Sequence, residues 1–192
     1  MRRTATRPQS TLKHPVTTAK ATEYEAELRK EFPRLRIVNK SEDRLSRLID
    51  RALRLITFGG QSSYMTKYVT TIGSTIYVPS DWAERREDEQ FATLRHEAVH
   101  LRQFRRYTPV GMSLIYLFPI LPLGLASGRA RLEWEAYAET VRVVAEIHGR
   151  AAVHDPGFRR YIVEQFTGPA YGWMWPFPKT VNRWLNEELG RV

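Results

Sequence analysis

The chain has 192 residues and a mass of 22.4 kDa, and 42% of its residues are apolar, enough to bury one core and too many for an unfolded chain. It has no cysteine, which excludes disulfide frameworks, cysteine zinc ribbons, iron–sulfur clusters and thiol nucleophiles. Its 30 Lys and Arg against 21 Asp and Glu leave a net charge of +9; Arg2, Arg3, Arg7, Lys13 and Lys20 all precede the first acid, Glu23, so the remainder is only mildly basic.

Residues 1–22 lack the apolar stretch of a secretory signal and read as a basic disordered tail, although a transit peptide or a nucleic-acid-binding arm has a similar composition. Residues 23–192 read as one domain, with a cytoplasmic location expected. Residues 22–32 predict a short helix stopped by Pro33, and Ser41 is placed as the N-cap of a second. Leu45, Leu48, Ile49, Ala52, Leu53 and Ile56 recur at helical spacing and give that second helix one apolar face, ended by Gly59 and Gly60. Residues 64–78 are dense in β-branched and aromatic side chains and break at Gly73-Ser74, which predicts a hairpin of two short strands closed by Pro79.

From about Asp81 to Tyr107 the pattern is that of a long helix, acidic in its first turns and basic in its last, as the helix dipole favours. It carries His96-Glu97-Ala98-Val99-His100. A spacing of four places both imidazoles on one face, a turn apart, where they can grip a single zinc ion, with Glu97 beside them to act on a metal-bound water. Phe91, Leu94, Ala98 and Leu101, with Arg105 at its end, form the apolar stripe, and the histidines sit at its edge. The plain alternative is a pair of surface or packing histidines.

Tyr107 to Gly128 run 22 residues without a charge. Gly111, Pro119, Pro122 and Gly124 interrupt the run, and a helix crossing about 30 Å of hydrocarbon would part His100 from the acids that follow. A short helix near 111–118 and a proline-kinked turn are expected instead, with shallow membrane contact through 109–126 as an alternative use.

Zinc in a catalytic site takes three protein ligands, and Arg106 stands where a third histidine ten positions after His96 would be. The remaining acids lie on the helix predicted over 129–148. Glu133 shares a stripe with Ala136, Tyr137, Thr140, Val144 and Ile147 that must pack inward, whereas Glu135 and Glu139 align with Arg142 and Glu146 on a solvent side. Glu133 is therefore read as the third ligand, Glu135 as its alternative with Glu139 behind it, and His148 and His154 as further ligand or transition-state candidates. The C-terminal part reads as an aromatic-rich loop and a short helix. Tyr171 in that loop is a candidate oxyanion donor, or simply one more aromatic packed with Trp173, Trp175 and Phe177.

On these residues the chain resembles the HExxH zinc metallopeptidases of the gluzincin type, over roughly residues 64–148. The resemblance implies an α+β, zincin-like fold whose central HExxH helix follows a small antiparallel hairpin and precedes the helix carrying the third ligand. It further implies one zinc per chain, a peptide or protein substrate held along Thr75–Val78 as an edge strand, and Glu97 as the base that later protonates the leaving amine. The pattern of those families is met by Glu133-Trp134-Glu135-Ala136, but Tyr137 stands where an Asp steadies a ligand histidine. Either the Tyr137 hydroxyl takes that role or the register is Glu135 with Glu139 as the acid. A zincin-shaped module that binds protein or nucleic acid without catalysis, and a membrane-associated peptidase, are the alternative readings.

Overall fold

Helix α1 (Lys20–Glu31) begins two residues before the expected start and ends ahead of Pro33, burying Ala21 and Leu28. The computed structural model describes residues 20–44, 46–47, 65–66, 68–117, 126–168 and 174–192. The apolar positions of the second predicted helix, Leu45 to Ile56, lie outside the described residues, as do Tyr171 and Trp173. At the start of that helix the cap is Asp43, whose Oδ2 accepts from the Ser46 amide at 2.6 Å. Ser41, the expected cap, instead donates its hydroxyl to Asn39 Oδ1 at 2.8 Å.

The chain is α+β, mostly helical, with one small sheet. Strand β1 (Arg36–Asn39), β2 (Thr70–Ile72) and β3 (Thr75–Val78) are ordered β1-β3-β2. The predicted hairpin is β2 and β3, turning at Gly73, whose φ of 59° suits a glycine at the head of a two-residue turn. Strand β1 was not legible as a strand, being four residues between Pro33 and a turn. It pairs in parallel with β3, Ile37 opposite Ile76. That pairing corrects the expectation that Thr75–Val78 is an edge: β3 is the middle strand, and among the described residues β1 and β2 are the two outer ones. Ile76 and Val78 point down from β3 onto Leu94, Ala98 and Leu101, with Leu28 and Leu35 closing the cluster.

Helix α2 (Glu87–Leu117) is two helices joined at Thr108, where φ is 61° and ψ is 161°. Pro109 keeps the residue before it out of the α region, in keeping with the ψ of 161°, and Thr108 caps the second segment, accepting from the Gly111 amide at 3.4 Å with proline in the first helical position. A β-branched residue at positive φ is strained, and a cap offsets part of that cost. The long helix expected from about Asp81 thus starts at Glu87, after a 3₁₀ turn at Trp82–Glu84, and runs to Tyr107, and the short one after it corresponds to the second expected from sequence.

Helix α3 (Ser127–His148) runs antiparallel to α2. Gly128 makes the approach possible, since a Cβ there would lie 2.9 Å from Ile115 Cγ2. Helices α4 (Arg150–His154), α5 (Pro156–Thr167) and α6 (Pro178–Leu189) complete the chain. Helix α5 was missed in the sequence, although Asp155 caps it through the Gly157 and Phe158 amides at 2.7 and 3.1 Å with Pro156 at its start. Its Ile162 and Phe166 join Tyr137, Val141, Val181 and Leu185 in the second core cluster, roofed by Trp134, Trp175 and Trp184. Among the described residues no helix is long and apolar enough to cross a membrane.

Ion pairs bind the helices edge to edge. Lys20 meets Glu146 at 3.1 Å, Arg95 meets Glu146 and Glu139, Arg142 meets Glu139 at 3.3 Å, and Glu188 accepts from Arg142 and Arg191 at 2.7 and 2.9 Å. On the face expected to be a solvent side, Glu135, Arg142 and Glu146 are exposed, whereas the Glu139 side chain is only 16% exposed and is clasped by two arginines.

Candidate metal centre

The inward stripes of α2 and α3 meet at His96, His100 and Glu133, whose ligand atoms all lie within 4.8 Å of one another. Glu133 Oε2 is 4.0 Å from His96 Nε2 and 3.7 Å from His100 Nε2. Ligand atoms about 2.0–2.2 Å from a tetrahedral zinc are roughly 3.3–3.6 Å apart, so the two carboxylate–imidazole separations stand a few tenths of an ångström beyond that spacing, within a cluster that spans at most 4.8 Å. Two imidazoles and a carboxylate are also the donor chemistry of such a centre.

The far nitrogens of both rings are committed. Thr140 Oγ1 donates to the Ala136 carbonyl at 3.2 Å, so its contact of 3.0 Å with His96 Nδ1 is one in which the imidazole N–H donates. On the other ring, Gln103 spends both amide hydrogens, on the Leu132 carbonyl at 3.0 Å and Glu135 Oε2 at 2.9 Å. Its carbonyl oxygen then accepts from His100 Nδ1–H at 2.9 Å. Both histidines are thereby held with the proton on Nδ1 and the lone pair of Nε2 turned toward Glu133.

These partners answer what the sequence left open about the missing Asp. The groups that steady the histidines are Thr140 and Gln103, neither of which the sequence reading had assigned that role. Tyr137 meets His96 through its ring, centroids 4.8 Å apart, while its hydroxyl bonds to Tyr161. Glu139 is turned to Arg95 and Arg142, and Glu135 reaches His100 only through Gln103. His148 lies away from the cluster, 3.2 Å from Asp88, and His154 ends α4 with an exposed side chain.

Glu97 is buried beside this cluster, and Thr71 of β2 donates to its Oε2 at 2.7 Å. Burial raises its pKa against the opposing pull of His100, Thr71 and Lys40. Lys40, which the sequence reading did not single out, is fully buried at the end of β1, its ammonium donating to the Tyr68 carbonyl at 2.8 Å and to Thr70 Oγ1 at 3.1 Å. It pins the strand that carries Thr71.

The two histidines differ electrostatically. Burial, reinforced by the neighbouring His100, holds His96 well below the ordinary imidazole range. Burial also pulls His100 down, but the Glu133 and Glu97 carboxylates and the Gln103 bond together carry it above that range. The same carboxylates that favour a proton on His100 favour a metal cation in its place.

No known protein family, no curated protein and no solved structure matches this chain.

Proposed function

We infer that the chain is a zinc-dependent hydrolase of zincin-like plan that cleaves peptide bonds, with His96, His100 and Glu133 as ligands and Glu97 as base. The observation that carries this reading is the pair of Nε2 atoms fixed toward one carboxylate, with a second buried carboxylate beside them. Zinc in such a centre polarises a carbonyl and makes water acidic enough to serve as a nucleophile near neutral pH. Glu97, its pKa lifted by burial and its orientation set by Thr71, takes the proton of the attacking water and delivers it to the departing amine. The outer side of β2, next to Thr71 and unpaired among the described residues, is the sheet edge along which an extended substrate would lie.

The test is metal analysis of the dialysed protein together with hydrolysis of a peptide library. About one zinc per chain is expected, lost in Glu133→Ala and kept in Glu135→Ala. Glu97→Gln should keep the metal and lose about 10²–10⁴-fold in rate. A wild-type chain that takes up no zinc on incubation with the metal refutes the reading, and zinc without hydrolysis of any peptide turns it to the non-catalytic binding module.

A further inference from the structure

The helical segment beyond the Thr108 kink has two unlike faces. Met112 is buried and Ile115 packs on Gly128, so that side belongs to the protein. Val110 and Leu114, one turn apart on the other side, are 71% and 58% exposed, more than any other large apolar side chain among the described residues. The kink matters here, because it ends one helix and starts another whose outward stripe is aliphatic rather than charged.

Charge frames this stripe. Residues 101–135 hold Arg102, Arg105, Arg106, Arg129 and Arg131 against Glu133 and Glu135, and Glu133 is buried. The side chains of Arg105 and Arg106 are 61% and 63% exposed on the last turn before the kink, where Arg105 pairs with Glu31 at 3.3 Å and Arg106 lies 3.9 Å from Glu135, and Arg131 is exposed on the first turns of α3. No acid or base falls between them, from Tyr107 to Gly128. Two aliphatic side chains on a helix about 14 Å long cannot approach the roughly 1,200 Å² of a stable protein interface. They do suit a reversible interfacial contact, in which shallow apolar insertion and arginine–phosphate attraction act together.

We propose that Pro109–Leu117 is an interfacial foot that seats on an anionic lipid surface, Val110 and Leu114 entering the head-group layer and Arg105, Arg106 and Arg131 meeting lipid phosphates. The inference is independent of the metal centre. It places the two ligand-bearing helices next to the bilayer, with His100 roughly 15 Å along α2 from Val110.

Flotation of the full chain with vesicles of phosphatidylcholine alone, or mixed with phosphatidylserine, tests it. Binding to the mixed vesicles and not to the neutral ones is expected. Val110→Asp with Leu114→Asp should weaken that binding at least about tenfold, and Arg106→Gln with Arg131→Gln should weaken it while leaving the melting temperature unchanged. Both positions of the first variant are in solvent, so its far-ultraviolet circular dichroism should match the wild type. The proposal is overturned if the wild type stays in solution with both vesicles. It fails equally if the Asp variant still floats, which would assign binding to the basic residues 1–22, or if that variant instead converts a wild-type dimer to a monomer.

Discussion

Replacing Gln103 by Leu separates the metal centre from the fold that carries it. The side chain is buried and makes three hydrogen bonds, to His100 Nδ1 at 2.9 Å, the Leu132 carbonyl at 3.0 Å and Glu135 Oε2 at 2.9 Å. Leucine fills similar space but leaves the imidazole N–H and the Leu132 carbonyl without these partners. Loss of a group that orients a ligand histidine costs about 10–100-fold in metal affinity, equivalent to about 1.4–2.7 kcal/mol. The orphaned polar atoms should cost the metal-free protein a further ~1–3 kcal/mol. Titrating zinc against a chromogenic chelator reads the first quantity, and urea unfolding in the presence of a chelator reads the second. Gln103→Glu keeps an acceptor for His100 but loses the donors and sets a second carboxylate beside Glu135. It should therefore recover part of the zinc affinity while remaining less stable without metal. Unchanged zinc affinity in Gln103→Leu, with wild-type uptake intact, would refute the assignment of His100 orientation to this residue.

Phe166→Ala removes a fully buried ring in contact with Trp134, Tyr137 and Trp184, and should destabilise the chain by ~3–5 kcal/mol in urea unfolding. Gly128→Ala presses a methyl group against Ile115, and about 1–3 kcal/mol of stability should be lost as α2 and α3 are forced apart. The Glu31 carboxyl is held below its usual range, chiefly by the hydrogen bond from Arg102. A depressed carboxylate pKa stabilises the fold above the unfolded-state value and is lost as pH falls through the folded one, so Glu31→Gln should be less stable than wild type at pH 7 by less than about 1 kcal/mol and equal to it in strong acid.

What the sequence revealed followed periodicity. The two helices that carry His96, His100 and Glu133 were legible because each carries a long 3.6-residue stripe, and placing Glu133 on the inward stripe of α3 set it opposite the histidines, where it is found. Gln103, three residues after His100 on the same face, carried a helical-spacing signal that went unread. Thr71 and Lys40 carried none, because the place of Lys40 depends on β1 pairing in parallel with β3 across a long stretch of chain and that of Thr71 on how the hairpin sits against α2. Glu139 departs from the solvent side it shares with the exposed Glu135, Arg142 and Glu146 for a related reason: charged residues at helical spacing mark a polar face, and only the neighbouring helix decides which of them meet arginines instead of water.

The chain of ion pairs from Lys20 to Arg191 is uneven in its exposure to solvent. At the α1 end both partners of Lys20–Glu146 are well hydrated, whereas the Glu188 carboxylate that receives Arg142 is 2% exposed. Raising the ionic strength shortens the Debye length to about 3 Å at 1 M and screens exposed pairs long before buried ones. Concentrated salt should therefore loosen α1 from the back of α3 while α6 stays fastened, so that amide exchange in α1 quickens under conditions that leave the α3–α6 seam closed.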